Sequence, residues 1–194
     1  MAETRTAGNS KAATAEDKPK APGRRRITRR KAVEGHLRSY FDAMAARDVK
    51  ACGEHWHQDG VDEPVPVGPL RGRAEIEGFL RELWAGVPDM ETTVTRLVAG
   101  EHQAAVEWRM RGTFDGAAFQ GIEPTGRQVE MRGVDFFEVE DGLITGCTGY
   151  YDGAEFARQA GMLPPRDSGA ERAMTSAFNA VTKVRRAIDE RRGS

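Results

Sequence analysis

Asp135 is the first residue in this sequence whose position suggests chemistry. Alternate residues of a strand share one face, so Asp135 belongs to an otherwise apolar row with Met131, Gly133, Phe137 and Val139. Burying an unpaired charge is costly, which favours the protonated form of a carboxyl group in such a row. A carboxylate at this place is either a misfit or a working group, and in both cases we expect Asp135 to be protonated, with a raised pKa.

Glu63 is the second carboxylate that we expect among apolar neighbours. It lies in segment 60–67, whose prolines disfavour a helix and indicate an extended chain. Val61, Glu63 and Val65 share one face of that chain, whereas Asp62 points the other way. Glu63 is therefore the second carboxylate whose position makes it a candidate for chemistry.

Tyr40 is the third candidate, because it lies on the apolar face of a predicted helix. A tyrosine at such a position is also common in an ordinary core, so this pattern by itself leaves both interpretations open. The stripe that defines the face has helical spacing and consists of Val33, Leu37, Tyr40, Phe41 and Met44.

The elements that must position these groups indicate an α+β fold. Residues 103–112 alternate between apolar and polar side chains, which is typical of an antiparallel sheet with one face packed. Residues 132–152 read as a hairpin that turns at Asp141–Gly142. The predicted helices cover residues 31–47, 49–57, 73–85 and 154–160, the other strand covers 90–99, and a final helix starts at Ser168.

The final helix carries an apolar stripe that includes Met174, Phe178 and Val181. This stripe could pack on the body of the protein or on a second subunit. We therefore expect a disordered basic segment over residues 1–30, one domain over 31–165 and an amphipathic helix over 166–194.

Composition excludes several classes of function. Residues 1–31 hold ten Lys or Arg against three Asp or Glu, so affinity for nucleic acid is expected of this tail at most. Two cysteines, Cys52 and Cys147, form neither a disulfide framework nor a zinc motif, and His55 with His57 lacks a third ligand. With no apolar run long enough to span a membrane and no signal peptide, we expect a cytoplasmic protein without metal or membrane attachment.

Several motifs resemble those of the SnoaL-like polyketide cyclases of the nuclear transport factor 2-like superfamily. The resemblance covers most of residues 40–161 and implies a curved antiparallel sheet wrapped around N-terminal helices as a cone with an internal pocket. Phe114 stands where these cyclases usually carry a histidine, and Asp152 falls where they carry an acid or base. The matching residues are Gly112–Phe114, Gly116, Phe119, Gly121–Ile122, Pro124–Arg127, Asp141–Gly142, Ile144, Gln159 and Gly161.

Three segments also resemble the ketosteroid isomerases of the same superfamily: 40–48, 61–65 and 134–139. By this resemblance Tyr40 is the oxyanion donor, Glu63 the base and Asp135 the protonated acid. The pocket is then expected to be lined by Trp108, Phe114, Phe137 and Tyr151.

The resemblance implies an enzyme, with no cofactor, that moves a proton next to a carbonyl of a small apolar, steroid- or polyketide-like substrate. A cyclase that uses Asp152 is an alternative, and a non-catalytic binding or assembly module is another, because a fold does not fix a function. We also expect a homodimer.

Overall fold

The computed structural model describes residues 22–192, which form five helices and six strands around one hydrophobic core. The elements, in chain order, are α1 (Pro22–Ala46), α2 (Val49–Glu54), β1 (Trp56–Pro64), β2 (Leu70–Arg71), α3 (Gly72–Gly86), β3 (Glu91–Ala99), β4 (Gln103–Phe114), β5 (Arg127–Glu140), β6 (Leu143–Tyr151), α4 (Gly153–Gln159) and α5 (Gly169–Arg192).

One six-stranded sheet has the order β2-β1-β6-β5-β4-β3. Neighbouring strands are antiparallel except β1 and β6, which run parallel. The prediction of an antiparallel sheet therefore needs this correction. The exception arises because β1 joins the sheet beside a strand about eighty residues later in the chain, and the alternation of residues 103–112 concerns β4 and its neighbours rather than the direction of β1.

The predicted hairpin is present and sets the register of the sheet. Asp141 and Gly142 both have positive φ, 47° and 80°, as the two central residues of a type I′ turn require. On β5, Gly133 and Phe137 are buried while Phe136 is exposed, so the predicted inner row is confirmed.

Helices α1 and α3 cover the inner face of the sheet and complete the cone. The predicted stripe of α1 is buried throughout, from Val33 to Met44. In α3 the buried side chains are Ile76, Leu80 and Trp84. Helix α1 packs on β3 and β4 while α3 packs on β1 and β2, so the sheet and the two helices enclose a common interior.

The N-terminal helix is longer than predicted. It begins at Pro22, so residues 22–30 are helical rather than disordered, and Arg26 pairs with Glu101 at 2.5 Å. Arginine and lysine are good helix formers, so this basic run extends a helix that packing has already nucleated. The remainder of the predicted disordered segment, residues 1–21, lies outside the described residues.

The C-terminal helix α5 is present as an extra element, and none of its residues is buried. Its apolar stripe, which includes Met174, Phe178 and Val181, is exposed. None of the helices within residues 22–192 combines the length and apolar character needed to cross a bilayer.

Candidate active site

An internal pocket of about 90 Å³ lies between the inner face of the sheet and helices α1 and α3. Its wall is largely apolar, with side chains such as Met44, Phe79 and Met131. Two carboxyl groups, those of Asp62 and Asp135, interrupt that wall, and no Lys, Arg or His lines it among the described residues. The pocket therefore holds two acids without a basic partner.

Asp135 lies on the inner face of β5, opposite Gly149 on β6. A Cβ atom at residue 149 would lie 2.8 Å from Asp135 Oδ1, so the glycine provides the space that the carboxyl group occupies. Burial raises the pKa of Asp135 to about 7; the Trp108 indole opposes this shift and the Asp62 carboxylate adds to it. The predicted raised pKa thus has the predicted main cause.

Asp62 lies on the inner face of β1, opposite Leu70 on β2 and Cys147 on β6. Burial raises the pKa of Asp62 to about 6, and a hydrogen bond from the Cys147 thiol limits that rise. Asp62 is therefore the more acidic of the two pocket carboxyls. Near neutral pH it is largely ionised while a substantial fraction of Asp135 still carries its proton.

Tyr40 reaches the same pocket from α1. Burial raises the pKa of its phenol well above the usual value, and the negative charge of Asp62 raises it further. Tyr40 is held among aromatic rings, with Phe41 and Phe137 at centroid distances of 5.4 and 5.9 Å. The phenol consequently stays protonated and rigidly placed, which suits a hydrogen-bond donor.

Trp108 and Tyr151 form the aromatic wall beside Asp135, as predicted for the pocket. Their ring centroids are 6.3 Å apart, and Trp108 packs over Gly133, where a Cβ atom would lie 2.5 Å from the indole Cζ2. The Trp108 Nε1–H faces the Asp135 carboxyl group but forms no hydrogen bond of standard geometry. The Trp108 N–H thus lies next to the Asp135 carboxyl group without a full hydrogen bond to it.

Glu63 does not line the pocket, and the predicted face assignment of this segment is wrong. Glu63 is exposed on the outer face of the sheet. Val61 and Thr148 lie on the same face and are half-buried. Its neighbour Asp62 takes the inward position, because adjacent residues of a strand point to opposite faces.

The sequence signal for Asp62 was Trp56, which the prediction had placed in a helix. Trp56, Gly60 and Pro64 are the buried residues of β1. Asp62 is separated from each of them by an even number of positions, so alternation puts it on the same face. The two valines misled the prediction because Val61 is only half-buried and Val65 is exposed, so neither marks the inner face.

Asp152 also lies outside the pocket. Its carboxylate caps the N-terminus of α4 by accepting the Glu155 backbone N–H at 2.9 Å, and it lies 3.5 Å from the Arg166 guanidinium. The side chain is 59 % exposed in a charged surface cleft. Asp152 thus serves as a helix cap, which its position before α4 explains.

Phe114 and Phe137 support the pocket from behind rather than line it. Both are fully buried, and Phe114 packs against Phe156 of α4 with ring centroids 6.3 Å apart. Phe137 packs against the rings of Tyr40 and Phe41, with centroid distances of 5.9 and 6.0 Å. These two positions are core residues, and neither blocks the space next to the carboxyl pair.

Within residues 22–192 no three His, Cys, Asp or Glu side chains lie close enough together to hold a metal ion. The pocket instead brings together a carboxylate, a carboxylic acid and a phenol against an apolar wall. This set can accept a proton at one atom while two neutral donors stabilise negative charge at another.

Comparison with known proteins agrees with this fold. The family model of the SnoaL-like domain matches residues 37–147. A search of curated proteins found no match.

Solved structures share the fold across almost their whole length. AclR from Streptomyces galilaeus, a proposed hydroxylase, has a TM-score of 0.62 at 18 % identity and covers 87 % of this chain and 98 % of its own. IdmH from Streptomyces antibioticus, a proposed polyketide cyclase, has a TM-score of 0.57 at 27 % identity and covers 66 % of this chain and 97 % of its own. A protein of ketosteroid isomerase-like fold from Catenulispora acidiphila, bound to trimethylamine, has a TM-score of 0.56 at 19 % identity and covers 67 % of this chain and 97 % of its own.

Proposed function

The chain belongs to the SnoaL-like domain family of the nuclear transport factor 2-like superfamily, and we propose that it is an enzyme that moves a proton next to a carbonyl group. The observation that carries this proposal is the convergence of Asp62, Asp135 and Tyr40 on one apolar pocket. These groups come from β1, β5 and α1, so three separate elements each place one acidic side chain in the same pocket.

In this proposal Asp62 is the general base. Its carboxylate removes a proton from the carbon next to the carbonyl, and the electron pair of the broken C–H bond moves into the enolate. Tyr40 and the protonated Asp135 donate hydrogen bonds to the enolate oxygen, where the negative charge develops. Asp62 then returns the proton to a nearby carbon, which restores the carbonyl and completes an isomerisation.

The different pKa values of the two carboxyl groups support these separate roles. The pKa of Asp62 is raised to about 6 and that of Asp135 to about 7. Between these values the lower group is mostly a base and the higher group mostly an acid. Pairs of carboxyls whose environments separate their pKa values are a common basis for acid–base catalysis.

The size of the pocket restricts what can react there. Its volume of about 90 Å³ is below the roughly 150 Å³ of a protein cavity that binds benzene. The reacting end of the substrate is accordingly a short chain or the edge of one ring, and any remaining part of a steroid- or polyketide-like molecule lies outside the pocket.

Cyclisation of a polyketide-like substrate is a second candidate, favoured by the likeness to IdmH. Both candidate reactions begin with removal of a proton next to a carbonyl, after which the enolate carbon attacks a second carbonyl in the cyclase case. Asp62 rather than Asp152 is the base in this variant as well, because Asp152 lies in the surface cleft.

The assembly that we propose is a homodimer in a reducing cytoplasm. Exposed apolar side chains of the outer sheet face, Val98, Phe136 and Tyr150, and the stripe of α5 supply surface for a second copy. Both cysteines are free. Light scattering coupled to size exclusion measures the mass of the particle directly, and a mass of one chain contradicts the dimer.

Hydrogen–deuterium exchange at the carbon next to the carbonyl tests the proposed chemistry without knowledge of the product. Small cyclic and branched ketones are incubated with the full chain in D2O and followed by NMR. We expect Asp62→Asn to slow exchange about 10²–10⁴-fold, the usual contribution of a positioned acid–base group.

Two matched controls place the base. Glu63→Gln removes the adjacent carboxylate on the outer face, and Asp152→Asn removes the cap of α4; both are expected to retain most exchange activity. A larger loss in Asp152→Asn than in Asp62→Asn overturns the assignment of the base. Ketones that bind to the wild-type protein without exchange leave a non-catalytic binding protein as the answer.

A further inference from the structure

Cys147 is a buried thiol of the core that lies next to the proposed base. It lies on β6 directly opposite Asp62, because the parallel pairing of β1 and β6 aligns the two residues. Only 7 % of Cys147 is exposed, and its thiol lies close enough to the Asp62 carboxyl group to lower the pKa of that group. The other cysteine, Cys52, is fully buried on α2 and has no part in that contact.

We propose that Cys147 is a positioning residue for Asp62, whose carboxylate it fixes by donating a thiol hydrogen bond at the pocket wall. This inference rests on the proposed role of Asp62 as the base. An ionised carboxylate only accepts hydrogen bonds, so the direction of the bond is from Sγ–H to oxygen. One carboxylate oxygen is thereby engaged, and the other is left to accept the substrate proton.

Among the described residues, the other groups near Asp62 in the pocket are apolar or already have a role in the proposed reaction. Opposite it on β2 lies Leu70, and α3 presents Leu80 and Leu83 to the pocket. The remaining titratable groups that face it are Asp135 from β5 and Tyr40 from α1. The Asp62 charge raises the pKa of Asp135, whereas the Cys147 thiol lowers the pKa of Asp62, so loss of the thiol favours the protonated form of Asp62.

The high pKa of Cys147 fits a donor rather than a nucleophile. Burial raises it well above the ordinary value, and the charges of Asp62 and Asp135 raise it further. A thiol in that environment keeps its proton and is chemically inert. Its polar contact, not its reactivity, is then what it contributes to the site.

Infrared spectroscopy of the S–H stretch tests the contact in a folded, nearly native protein. The sequence has two cysteines, so Cys52→Ala leaves Cys147 as the one source of this band. We expect a band shifted to low frequency, as for a donated hydrogen bond, that moves to higher frequency as Asp62 is protonated below pH 6. A band at the frequency of a free thiol that ignores pH overturns the proposal.

Carboxyl NMR measures the consequence for Asp62 without any need for turnover. In Cys147→Ala the proton affinity of Asp62 is expected to rise about fivefold, the factor that corresponds to the roughly 1 kcal/mol of an ordinary hydrogen bond. Cys147→Ser keeps a donor and is expected to restore the wild-type titration, and Cys52→Ala, the matched loss of a buried thiol, is expected to leave it unchanged. An unchanged Asp62 titration in Cys147→Ala, or an equal shift in Cys52→Ala, contradicts the proposal.

Kinetics separates this inference from the proposed function. If the protein turns over ketones, Cys147→Ala should lower kcat/KM at pH values below the pKa of Asp62, and kcat/KM should recover at higher pH. A merely structural loss lowers kcat/KM at every pH. If no ketone reacts but the infrared and NMR results appear as expected, the proposed function fails and the contact between Cys147 and Asp62 stands.

Discussion

Replacing Asp135 with asparagine should stabilise the protein at alkaline pH, although it should harm function. The pKa of this carboxyl rises from 3.8 to about 7 on folding, because burial disfavours its charge. Asparagine has nearly the same shape, carries no charge and offers its amide oxygen to the Trp108 N–H. The mutation therefore removes the cost of ionising a buried group and keeps the polar contact.

The size and the sign of the effect follow from proton linkage. The native state holds the Asp135 proton more tightly than the unfolded state, so this group costs no stability below about pH 4 and its full cost is reached above pH 7. The rise of the Asp135 pKa from 3.8 to about 7 corresponds to about 4 kcal/mol at pH 8, which is an upper limit because water in the pocket and local relaxation reduce it. The same reasoning for Asp62→Asn gives a smaller gain, since its pKa is raised to about 6.

Urea unfolding of wild type and Asp135→Asn from pH 4 to pH 8 measures this cost. His36 and His55 also titrate in this range, with pKa values lowered mainly by burial, so their contribution to stability has the opposite pH dependence. The difference between variant and wild type cancels that background and should grow from near zero at pH 4 to its plateau near pH 8. Glu63→Gln, at an exposed carboxylate, should show no such growth, and a difference for Asp135→Asn that is flat or decreases with pH would refute the reasoning.

The rate of ketone exchange should have a bell-shaped pH profile, rising as Asp62 ionises near pH 6 and falling as Asp135 loses its proton near pH 7; a rate that keeps rising well above the upper value excludes Asp135 as a donor. Tyr40→Phe should lower kcat about 10²–10³-fold with little effect on KM, since it removes one donor to the developing oxyanion, and steady-state kinetics that show a change in KM alone contradict that role. Gly149→Ala should abolish most turnover while the circular dichroism spectrum is preserved, because the new Cβ atom would lie 2.8 Å from Asp135 Oδ1 and must displace the carboxyl group; unchanged kinetics would show that its position is not critical.

Several features could be predicted from the sequence because their causes are local. The Asp141–Gly142 turn fixes the hairpin, and alternation then puts Asp135 on the inner face among apolar side chains. The inward directions of Trp108 and Tyr40 follow in the same way from the periods of a strand and a helix. Local chemistry also identified the main reason for the raised pKa of Asp135, which is desolvation.

What only the tertiary structure decided depends on contacts between distant segments. A shift of β1 by one residue decides whether Asp62 or Glu63 points into the pocket. The pairing of β1 with β6 and the irregularity after Trp56 put Asp62 there. The same pairing puts Cys147 beside Asp62, a contact between residues far apart in the chain. Asp152 was excluded from the pocket by the start of α4, since a carboxylate that caps a helix there lies at the surface. Sequence patterns thus determined which side chains point inward from well-ordered strands and helices, but the partner of each strand determined which acids share the pocket, because strand pairing is a long-range interaction that local periodicity does not encode.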